Sequence, residues 1–239
     1  MNEYCQTKGI VLVKNDFREA DQLFRVYTKD FGKIEILGKA IRKIKSKLRA
    51  GIDILCFSEI EFVQGRVYKT LTDARVIEKF KNIKKDFEKL KIGFQIGEAS
   101  DILIKGEEAD EKIFDFLKKS LEELDKLEEK SVSKYHLFYC YFVLNFISLL
   151  GYAPNLYNCF LCQKKFKPEK IFLSREDFSI ICSQCAGSLK NKIEIGPEII
   201  KIIRVFLEKE WSFVLRLKGV EDYLEKLKEI CYYYLNSCL

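Results

Sequence analysis

Four cysteines, arranged as two Cys-x2-Cys pairs, constrain the fold of this chain more than any other feature. The first pair is Cys159 and Cys162, the second is Cys182 and Cys185, and 19 residues separate the two pairs. Two intervening residues let a tight knuckle point both sulfur atoms at one position, and two knuckles complete a tetrahedron around zinc at about 2.3 Å. Because four thiolates leave no coordination position open, the sequence predicts one structural zinc ion (Zn2+).

The alternatives for this quartet are accidental cysteines or two redox-active Cys-x-x-Cys motifs. Thioredoxin-like chemistry requires a βαβ setting, which the segment lacks, so metal binding is favoured. The intervening lysines can offset the negative charge of four thiolates. They are Lys164, Lys165, Lys167 and Lys170. The remaining cysteines have no partner by spacing, and we expect buried or incidental thiols there. They are Cys5, Cys56, Cys140, Cys231 and Cys238.

The first 79 residues have the alternation of apolar and polar side chains that predicts β-strands. The predicted strands are Lys8–Val13, Gln22–Thr28, Ile34–Leu37, Ile52–Val63 and Arg66–Val76. Gln64-Gly65 is a two-residue hairpin signal between the last two strands. Five strands in so short a segment predict a small barrel, because closure removes exposed edges.

From Phe80 onward the apolar period changes to three and four residues, which predicts helices. The first contains Phe80, Ile83, Phe87, Leu90 and Phe94 on its apolar face. The others run over Glu111–Leu127, Lys134–Leu150, Glu198–Glu208 and about Val220–Leu235. The predicted fold class is therefore α+β, with a five-stranded barrel at residues 1–79 and a helical domain at residues 80–239. The zinc module is inserted at about residues 157–190.

Positive charge is concentrated in two segments of the chain, although the net charge of +6 is modest. Residues 1–79 have 16 Lys and Arg against 11 acids, and residues 157–193 have 7 against 3. Such a distribution is typical of a surface that binds a polyanion.

Six of these cations lie within eleven residues that contain no acid. They are Lys39, Arg42, Lys43, Lys45, Lys47 and Arg49. Gly38 and Gly51 flank the run, which predicts a loop between the third and fourth strands. Small barrels bind single strands by combining a basic groove with aromatic side chains, for which Tyr27, Phe31, Phe57 and Tyr68 are candidates. The alternatives are a merely solvated loop and aromatic side chains that belong to the core.

Several signals of catalysis and of membrane insertion are missing. His136 is the only histidine, and neither a P-loop nor a G-x-G-x-x-G motif occurs. We therefore do not expect an enzyme. A zinc-dependent nucleic-acid enzyme such as a nuclease, and an adaptor whose zinc module binds only protein, stay as rival hypotheses. No stretch of 18 apolar residues occurs and the N-terminus does not resemble a secretory signal, so we expect a cytoplasmic protein without membrane association.

Two sets of motifs resemble the RecO family of recombination mediators. The N-terminal set is Lys8-Gly9-Ile10-Val11-Leu12, Glu19-x-Asp21, Thr28-x-x-x-Gly32 and Gly38-Lys39-Ala40-Ile41-Arg42-Lys43-x-Lys45-Ser46. The second is Gly151-Tyr152-Ala153-Pro154-Asn155-Leu156-x-x-Cys159-x-x-Cys162. With the order of elements, the resemblance covers essentially the full length. Gln163 stands where the family usually has glycine, and Ser179-Ile180 replaces a usual glycine pair. These departures concern knuckle geometry and leave the four ligands intact.

The resemblance implies an N-terminal OB-fold, a helical C-terminal domain and a zinc module inserted between its helices. It also implies binding of single- and double-stranded DNA, annealing of complementary strands without ATP, and partnership with RecR in the nucleoid of a bacterium. In that role the protein helps to load RecA onto DNA coated with single-stranded-DNA-binding protein. Some members bind the tail of that protein in the helical domain. Candidate residues here are Lys134, Tyr139, Phe142 and Phe146, for which core packing is the favoured alternative.

Overall fold

The computed structural model describes residues 4–128, 131–167, 169–175, 179–187 and 191–237. The chain divides into two compact units, Met1–Glu128 and Glu129–Leu239. Among the described residues, none of the helices combines the length and the apolar character that crossing a membrane requires.

The first unit contains a closed barrel of five strands. They are β1 (Tyr4–Phe17), β2 (Asp21–Thr28), β3 (Gly32–Gly38), β4 (Phe57–Val63) and β5 (Lys69–Glu78). The strand order is β1-β2-β3-β5-β4, and β4 pairs with β1 to close the barrel. Only the β3–β5 pairing is parallel among the described strands of this barrel. This is the OB-fold arrangement, so the predicted fold class is confirmed.

The barrel core follows directly from the period-two pattern. Alternate residues along each strand point inward, and the inward set is apolar. Phe24, Val26, Ile34, Ile36 and Ile60 are each at most 1% exposed and form one cluster.

Two strand boundaries differ from the prediction. β4 begins at Phe57 rather than Ile52, because residues 51–56 form turns in which Leu55 has a φ of +56°. Ile52 is buried all the same, whereas Ile54 is partly exposed, so the apolar character of residues 52–54 does not indicate a strand. β5 begins at Lys69 rather than Arg66, and a five-residue connection over residues 64–68 replaces the predicted two-residue turn.

Three helices follow the barrel in the first unit: α1 (Lys81–Lys85), α2 (Phe87–Leu103) and α3 (Glu111–Lys126). The sequence predicted one helix through Phe80 and Phe94, which is wrong. Asp86 has an extended backbone, and its side chain accepts hydrogen bonds from the N–H groups of Glu88 and Lys89. It therefore caps α2 and separates it from α1.

The apolar face of α2 also differs from the prediction. Phe87 is 77% exposed and Phe94 is 36% exposed, whereas Ile92 and Ile96 are buried. The helix packs against β1 of the barrel at Gly97, where a Cβ atom would lie 2.4 Å from the carbonyl oxygen of Leu12. This close approach of helix and strand backbones decides which face is buried.

The second unit is built around α4 (Val132–Leu149), which packs against two later helices. The elements after α4 are β6 (Ile171–Ser174), β7 (Ile180–Cys182), α5 (Ser183–Ala186), β8 (Lys192–Glu194), α6 (Gly196–Glu208), α7 (Trp211–Val214) and α8 (Leu224–Ser237). The strands form a sheet in the order β7-β6-β8. The cysteine-bearing segment thus lies between α4 and α6, as the sequence predicted.

The first three helices belong to the same compact unit as the barrel. Contacts of α2 with β1 account for this grouping, whereas the change from strands to helices falls at residues 79–80. The predicted division into domains at residues 1–79 and 80–239 stays a prediction. That boundary marks the change from strands to helices, whereas the two compact units are defined by which residues pack together.

Candidate metal centre and nucleic-acid interface

Four cysteine sulfur atoms converge on one position in the second unit. The Sγ atoms of Cys159, Cys162, Cys182 and Cys185 all lie within 4.8 Å of one another. The Sγ atoms of Cys162 and Cys182 are 3.8 Å apart. A tetrahedron with zinc–sulfur distances of about 2.3 Å has edges of about 3.8 Å, so the donors already have the required spacing. The predicted quartet is thus brought together, and it could hold a metal ion.

The first pair of cysteines lies in a tight knuckle. The N–H of Cys159 donates to the carbonyl oxygen of Lys164 (2.9 Å), and the N–H of Gln163 donates to the carbonyl oxygen of Cys159 (2.9 Å). Gln163 has a φ of +58°, a left-handed conformation that glycine adopts more readily. Its side-chain amide donates to the carbonyl oxygen of Phe160 (2.7 Å). Glutamine at position 163, where the family usually has glycine, therefore preserves the knuckle at the cost of some backbone strain.

The sulfur of Cys159 is the most enclosed of the four. Burial by itself raises the pKa of this thiol, but the backbone N–H groups of Cys162, Cys182 and Leu161 outweigh burial and lower the pKa to about 6. Hydrogen bonds with Cys182 and Cys162 raise the pKa of Cys185 to about 12. Cys159 is thus the more readily deprotonated of these two thiols, and the thiolate is the form that binds a metal ion.

The other described cysteines lie outside this cluster, as the sequence predicted. Cys56, Cys140 and Cys231 are buried, and Cys5 is partly buried. Cys56 Sγ is 3.1 Å from the ammonium of Lys84. The prediction for Cys238 lies outside the described residues.

The six cations of residues 39–49, the basic loop, connect β3 to β4. Every one of them is exposed: Lys39, Arg42, Lys43, Lys45, Lys47 and Arg49. The backbone of the loop is held in place, because Ile41 is fully buried in the barrel core and Leu48 packs against that core. Ile41 and Leu48 point inward, whereas Ile44, which is 96% exposed, and the six cations are left in solvent.

The basic loop packs beside the turn between β1 and β2. The N–H of Arg42 donates to the carbonyl oxygen of Ala20 (3.0 Å), and the N–H of Ala40 donates to the carboxylate of Asp21 (2.7 Å). The Arg42 guanidinium also forms an exposed ion pair with Asp16 at 3.3 Å. Among the described residues, the other five cations of the loop form no ion pair. Most of the positive charge of the loop is therefore not neutralised.

Three of the four aromatic candidates for base stacking belong to the core. Tyr27 is fully buried, its hydroxyl donates to the carbonyl oxygen of Asp110 (3.3 Å), and burial raises its pKa. Phe57 is also buried, and the ring of Phe31 packs on that of Phe62 at 5.5 Å. Tyr68 stays partly exposed. The sequence alone could not separate these roles, because each aromatic residue fits the same strand pattern.

Sequence reasoning missed a second aromatic residue beside Tyr68. The rings of Phe17 and Tyr68 meet edge to face, with centroids 5.6 Å apart. The guanidinium of Arg18 lies 5.2 Å from the Phe17 ring. These contacts join the β1–β2 turn to the β4–β5 connection, and the corresponding loops of OB-folds bind oligonucleotides. The signal available in the sequence was the position of Phe17-Arg18 between the first two predicted strands.

The candidate pocket residues in α4 divide between core and surface. The rings of Phe142 and Phe146 stack with centroids 5.2 Å apart, and both side chains are fully buried. Lys134 and Tyr139 are partly exposed. The two phenylalanines therefore pack in the core, which was the favoured interpretation of the sequence.

Both parts of the chain match models of one protein family. A model described as "Recombination protein O N terminal" matches residues 1–80, and one described as "Recombination protein O C terminal" matches residues 84–239. The chain belongs to the RecO family. Membership in this family supports a role in DNA repair and recombination, and the two matches meet where the strands give way to helices.

Individual relatives agree with this family assignment. The chain is 30% identical to the DNA repair protein RecO of Dehalococcoides mccartyi (strain CBDB1) over 93% of its own length and 86% of the relative. It is 28% identical to RecO of Moorella thermoacetica, over 89% and 78% of the two chains. It is 27% identical to RecO of Acetivibrio thermocellus, over 99% and 92%. These matches extend through both the barrel and the cysteine-bearing unit.

Proposed function

We propose that this chain is a recombination mediator that binds single- and double-stranded DNA and anneals complementary strands without ATP. With RecR it helps to load RecA onto DNA coated with single-stranded-DNA-binding protein, in the bacterial cytoplasm at the nucleoid. The observation that carries the proposal is the basic loop, because five of its six exposed cations have no carboxylate partner among the described residues. Family membership supports the partners.

The basic loop would bind the phosphate backbone and not the bases. Lysine and arginine side chains that neutralise phosphates supply affinity without reading sequence. Annealing follows from the same property, since a cationic surface screens the repulsion between two phosphate backbones and lets bases pair. Tyr68 and Phe17, at the neighbouring loops, offer rings for stacking. No covalent chemistry is required.

Zinc is the metal that we assign to the four cysteines. Four thiolates at tetrahedral spacing are the donor set of structural zinc sites, and a closed set leaves no position for substrate. When bound, the ion would cross-link the knuckle that contains Cys159 and Cys162 to β7 and α5. The protein around the site would hold the sulfur atoms in place through the N–H groups directed at Cys159.

Charge reversal in the basic loop tests the proposal. Lys43→Glu combined with Lys45→Glu should weaken binding to all DNA sequences about equally. If about five phosphates are engaged, log K for single strands should fall with log salt at a slope near −3.5, and removing two contacts should flatten the slope by about 1.4. Fluorescence anisotropy with labelled oligonucleotides at several salt concentrations measures both quantities.

The matched control reverses two exposed lysines of α3, Lys112→Glu and Lys126→Glu. An equal loss of affinity in this control, or a salt-independent affinity of the unaltered protein, would contradict the role of the basic loop. Annealing of complementary strands coated with single-stranded-DNA-binding protein, with no ATP present, tests the mediator step. DNA cleavage in Mg2+ that co-purifies with the protein and is lost on mutation would instead favour a nuclease.

A further inference from the structure

A second group of lysines surrounds a small recess on the zinc-binding module. The recess has a volume of about 110 Å³ and is lined by residues of two chain segments. Phe166 and Glu169 belong to the first segment, and Ser183 belongs to the second. The four lysines at its edge are Lys164, Lys165, Lys167 and Lys170. All four are exposed. We call this feature the module recess. It lies in the second unit, whereas the basic loop lies in the first.

Most of the charge at the module recess is uncompensated. Lys170 forms an ion pair with Glu194 at 3.2 Å. Lys164, Lys165 and Lys167 form no ion pair within the part of the chain that the structure describes. The one carboxylate in the lining is Glu169, which accepts a hydrogen bond from the Ser183 hydroxyl (3.4 Å). Three ammonium groups therefore face solvent against a single acid, which favours an anionic ligand.

These lysines do not act by contacting the thiolates. The sulfur of Cys159 accepts a hydrogen bond from the backbone N–H of Cys182 (3.4 Å). Over the described residues, Lys164, Lys165 and Lys167 donate no hydrogen bond to a sulfur atom of the cluster. By contrast, Lys84 in the first unit does contact a cysteine sulfur. Neutralisation of the thiolate charge by direct contact with these lysines therefore does not explain the three ammonium groups.

The backbone that bears the lysines is fixed by the module. Phe166 packs against the buried part of the cysteine cluster, and its N–H donates to the carbonyl oxygen of Tyr157 (3.0 Å). Lys165 is bridged to Asn158, and the carbonyl oxygen of Lys164 accepts from Cys159. The three lysines thus extend from a held segment, which lowers the ordering cost of binding an extended ligand.

Two apolar side chains at the knuckle distinguish between kinds of anionic ligand. Phe160 and Leu161, which immediately precede Cys162, are 53% and 52% exposed. Single-stranded nucleic acid combines regularly spaced phosphates with the apolar faces of unpaired bases, and proteins bind it with cations and aromatic rings together. The exposed ring of Phe160, four to seven residues along the chain from three lysines without an ion pair among the described residues, matches this combination.

We propose that the module recess binds the phosphate backbone of single-stranded nucleic acid, as a second contact separate from the basic loop. Lys164, Lys165 and Lys167 supply the phosphate contacts, and Phe160 supplies a ring for an unpaired base. This inference rests on the proposed function and extends it, because a protein with two contact surfaces can hold two strands or a longer stretch of one.

The test uses the full chain with Lys164→Ala, Lys165→Ala and Lys167→Ala combined. Binding of a fluorescent oligothymidylate is measured by anisotropy over a range of salt concentrations. Loss of three phosphate contacts should flatten the slope of log K against log salt by about 2. The same three positions changed to arginine should retain the slope of the unaltered protein. Metal content and near-ultraviolet circular dichroism confirm that each variant is folded.

A matched control removes three exposed lysines outside both surfaces, by Lys85→Ala, Lys105→Ala and Lys218→Ala, and should leave the slope unchanged. Photochemical cross-linking of the unaltered protein to an iodouracil-containing oligonucleotide, followed by mass spectrometry, should identify a peptide that contains Phe160. An unchanged slope in the module variant and no cross-link there, with binding still weakened by the basic-loop variant, would overturn this inference and leave the proposed function intact.

Other outcomes separate the two proposals further. If the unaltered protein binds no nucleic acid at low salt, both fail. If the module variant binds oligothymidylate normally but loses binding to an acidic peptide, the partner of the recess is a protein and the inference is wrong. It is also wrong if arginine at the three positions weakens binding as much as alanine does.

Discussion

Gly51 ends the basic loop at a point where the loop backbone touches β5. A Cβ atom there would lie 1.8 Å from the carbonyl oxygen of Ala74 and 2.9 Å from its Cβ. The φ of Gly51 is −94°, which any residue adopts, so the requirement for glycine is steric and not conformational. The close contact fixes where the loop returns to the barrel and hence where its cations emerge.

Gly51→Ala is expected to destabilise the protein by about 3 kcal/mol or more, because a backbone oxygen cannot rotate away and the strand must shift. Gly187→Ala is the matched control, since the nearest atom to its Cβ would be 3.8 Å away and its φ is −58°. Its effect should stay within about 1 kcal/mol. Urea unfolding of both variants measures the free energy of unfolding, and similar losses would contradict the steric explanation.

Gln163 shows how one residue can carry strain without loss of the site. Its left-handed backbone costs about 1–2 kcal/mol for a residue with a side chain, and the hydrogen bond to Phe160 offsets part of that cost. The knuckle that brings Cys159 and Cys162 together thus tolerates an amide side chain where glycine is conformationally preferred.

Gln163→Val should destabilise the metal-binding module by about 1–2 kcal/mol relative to Gln163→Gly, because a β-branched side chain is the least compatible with a positive φ. The measurement is the rate of metal release to a chromogenic chelator, together with thermal unfolding. Equal behaviour of the valine and glycine variants would show that the conformation at residue 163 does not matter to the knuckle.

At the scale of elements, Asp53 joins three parts of the first unit. Its carboxylate contacts Lys14 of β1 at 2.6 Å and Lys84 of α1 at 3.2 Å. Burial by itself raises the pKa of Asp53, but the hydrogen bond from Lys14 and the charge of Lys84 outweigh it and hold the pKa below its ordinary value. The carboxylate thus fixes the segment that leads into β4.

The pH dependence of this contact follows from its lowered pKa. The contribution to stability is present above the ordinary pKa of 3.8 and is lost as the pH falls through the lower pKa of the folded protein. Asp53→Asn should cost about 1 kcal/mol or less near neutral pH, since the group is almost half exposed and screened by solvent. The difference in unfolding free energy from the unaltered protein should shrink from about pH 6 to pH 3.

The control for that measurement is Glu61→Gln, which removes an exposed carboxylate with no ion pair among the described contacts. It should show almost no difference from the unaltered protein at either pH. A difference for Asp53→Asn that does not change with pH would mean that the two lysines do not respond to the charge of Asp53.

At the scale of the whole molecule, the cysteine cluster that could hold a metal ion and the basic loop belong to different compact units. The cysteine cluster joins residues more than 20 positions apart in a segment with three short strands, whose own core is small. In segments of this kind the free energy of metal binding is largely the free energy of folding.

Cys159→Ser is therefore expected to unfold the metal-binding module, while the barrel keeps its strands. Hydrogen exchange followed by mass spectrometry should show loss of protection over β6, β7 and β8 and normal protection over β1–β5. The matched control is Cys5→Ser, which changes a partly buried thiol outside the cluster and should leave metal content unchanged. Normal protection of the module in the Cys159→Ser protein would contradict a structural role for the metal.

Three properties of this protein were determined by the sequence alone. The convergence of four cysteine sulfur atoms, which could hold a metal ion, was predicted, because a two-residue spacing lets a tight knuckle point both sulfur atoms at one position. The strand-rich N-terminal half and the helical remainder followed from the change of apolar period, since that period reflects local backbone geometry. The cationic character of residues 39–49 was also evident from the sequence, because this segment contains no acidic residue.

The tertiary structure decided the rest. Burial of Tyr27 and Phe57, and exposure of Phe87, depend on which backbone lies opposite each residue, and the sequence contains no direct signal of that. The close contacts of Gly51 with Ala74 and of Gly97 with Leu12 are likewise properties of neighbours distant in the chain. The pairing of Phe17 with Tyr68, and the recess between the lysine-bearing segment and Ser183, arise only when separate segments fold together, because van der Waals contacts depend on distance in space.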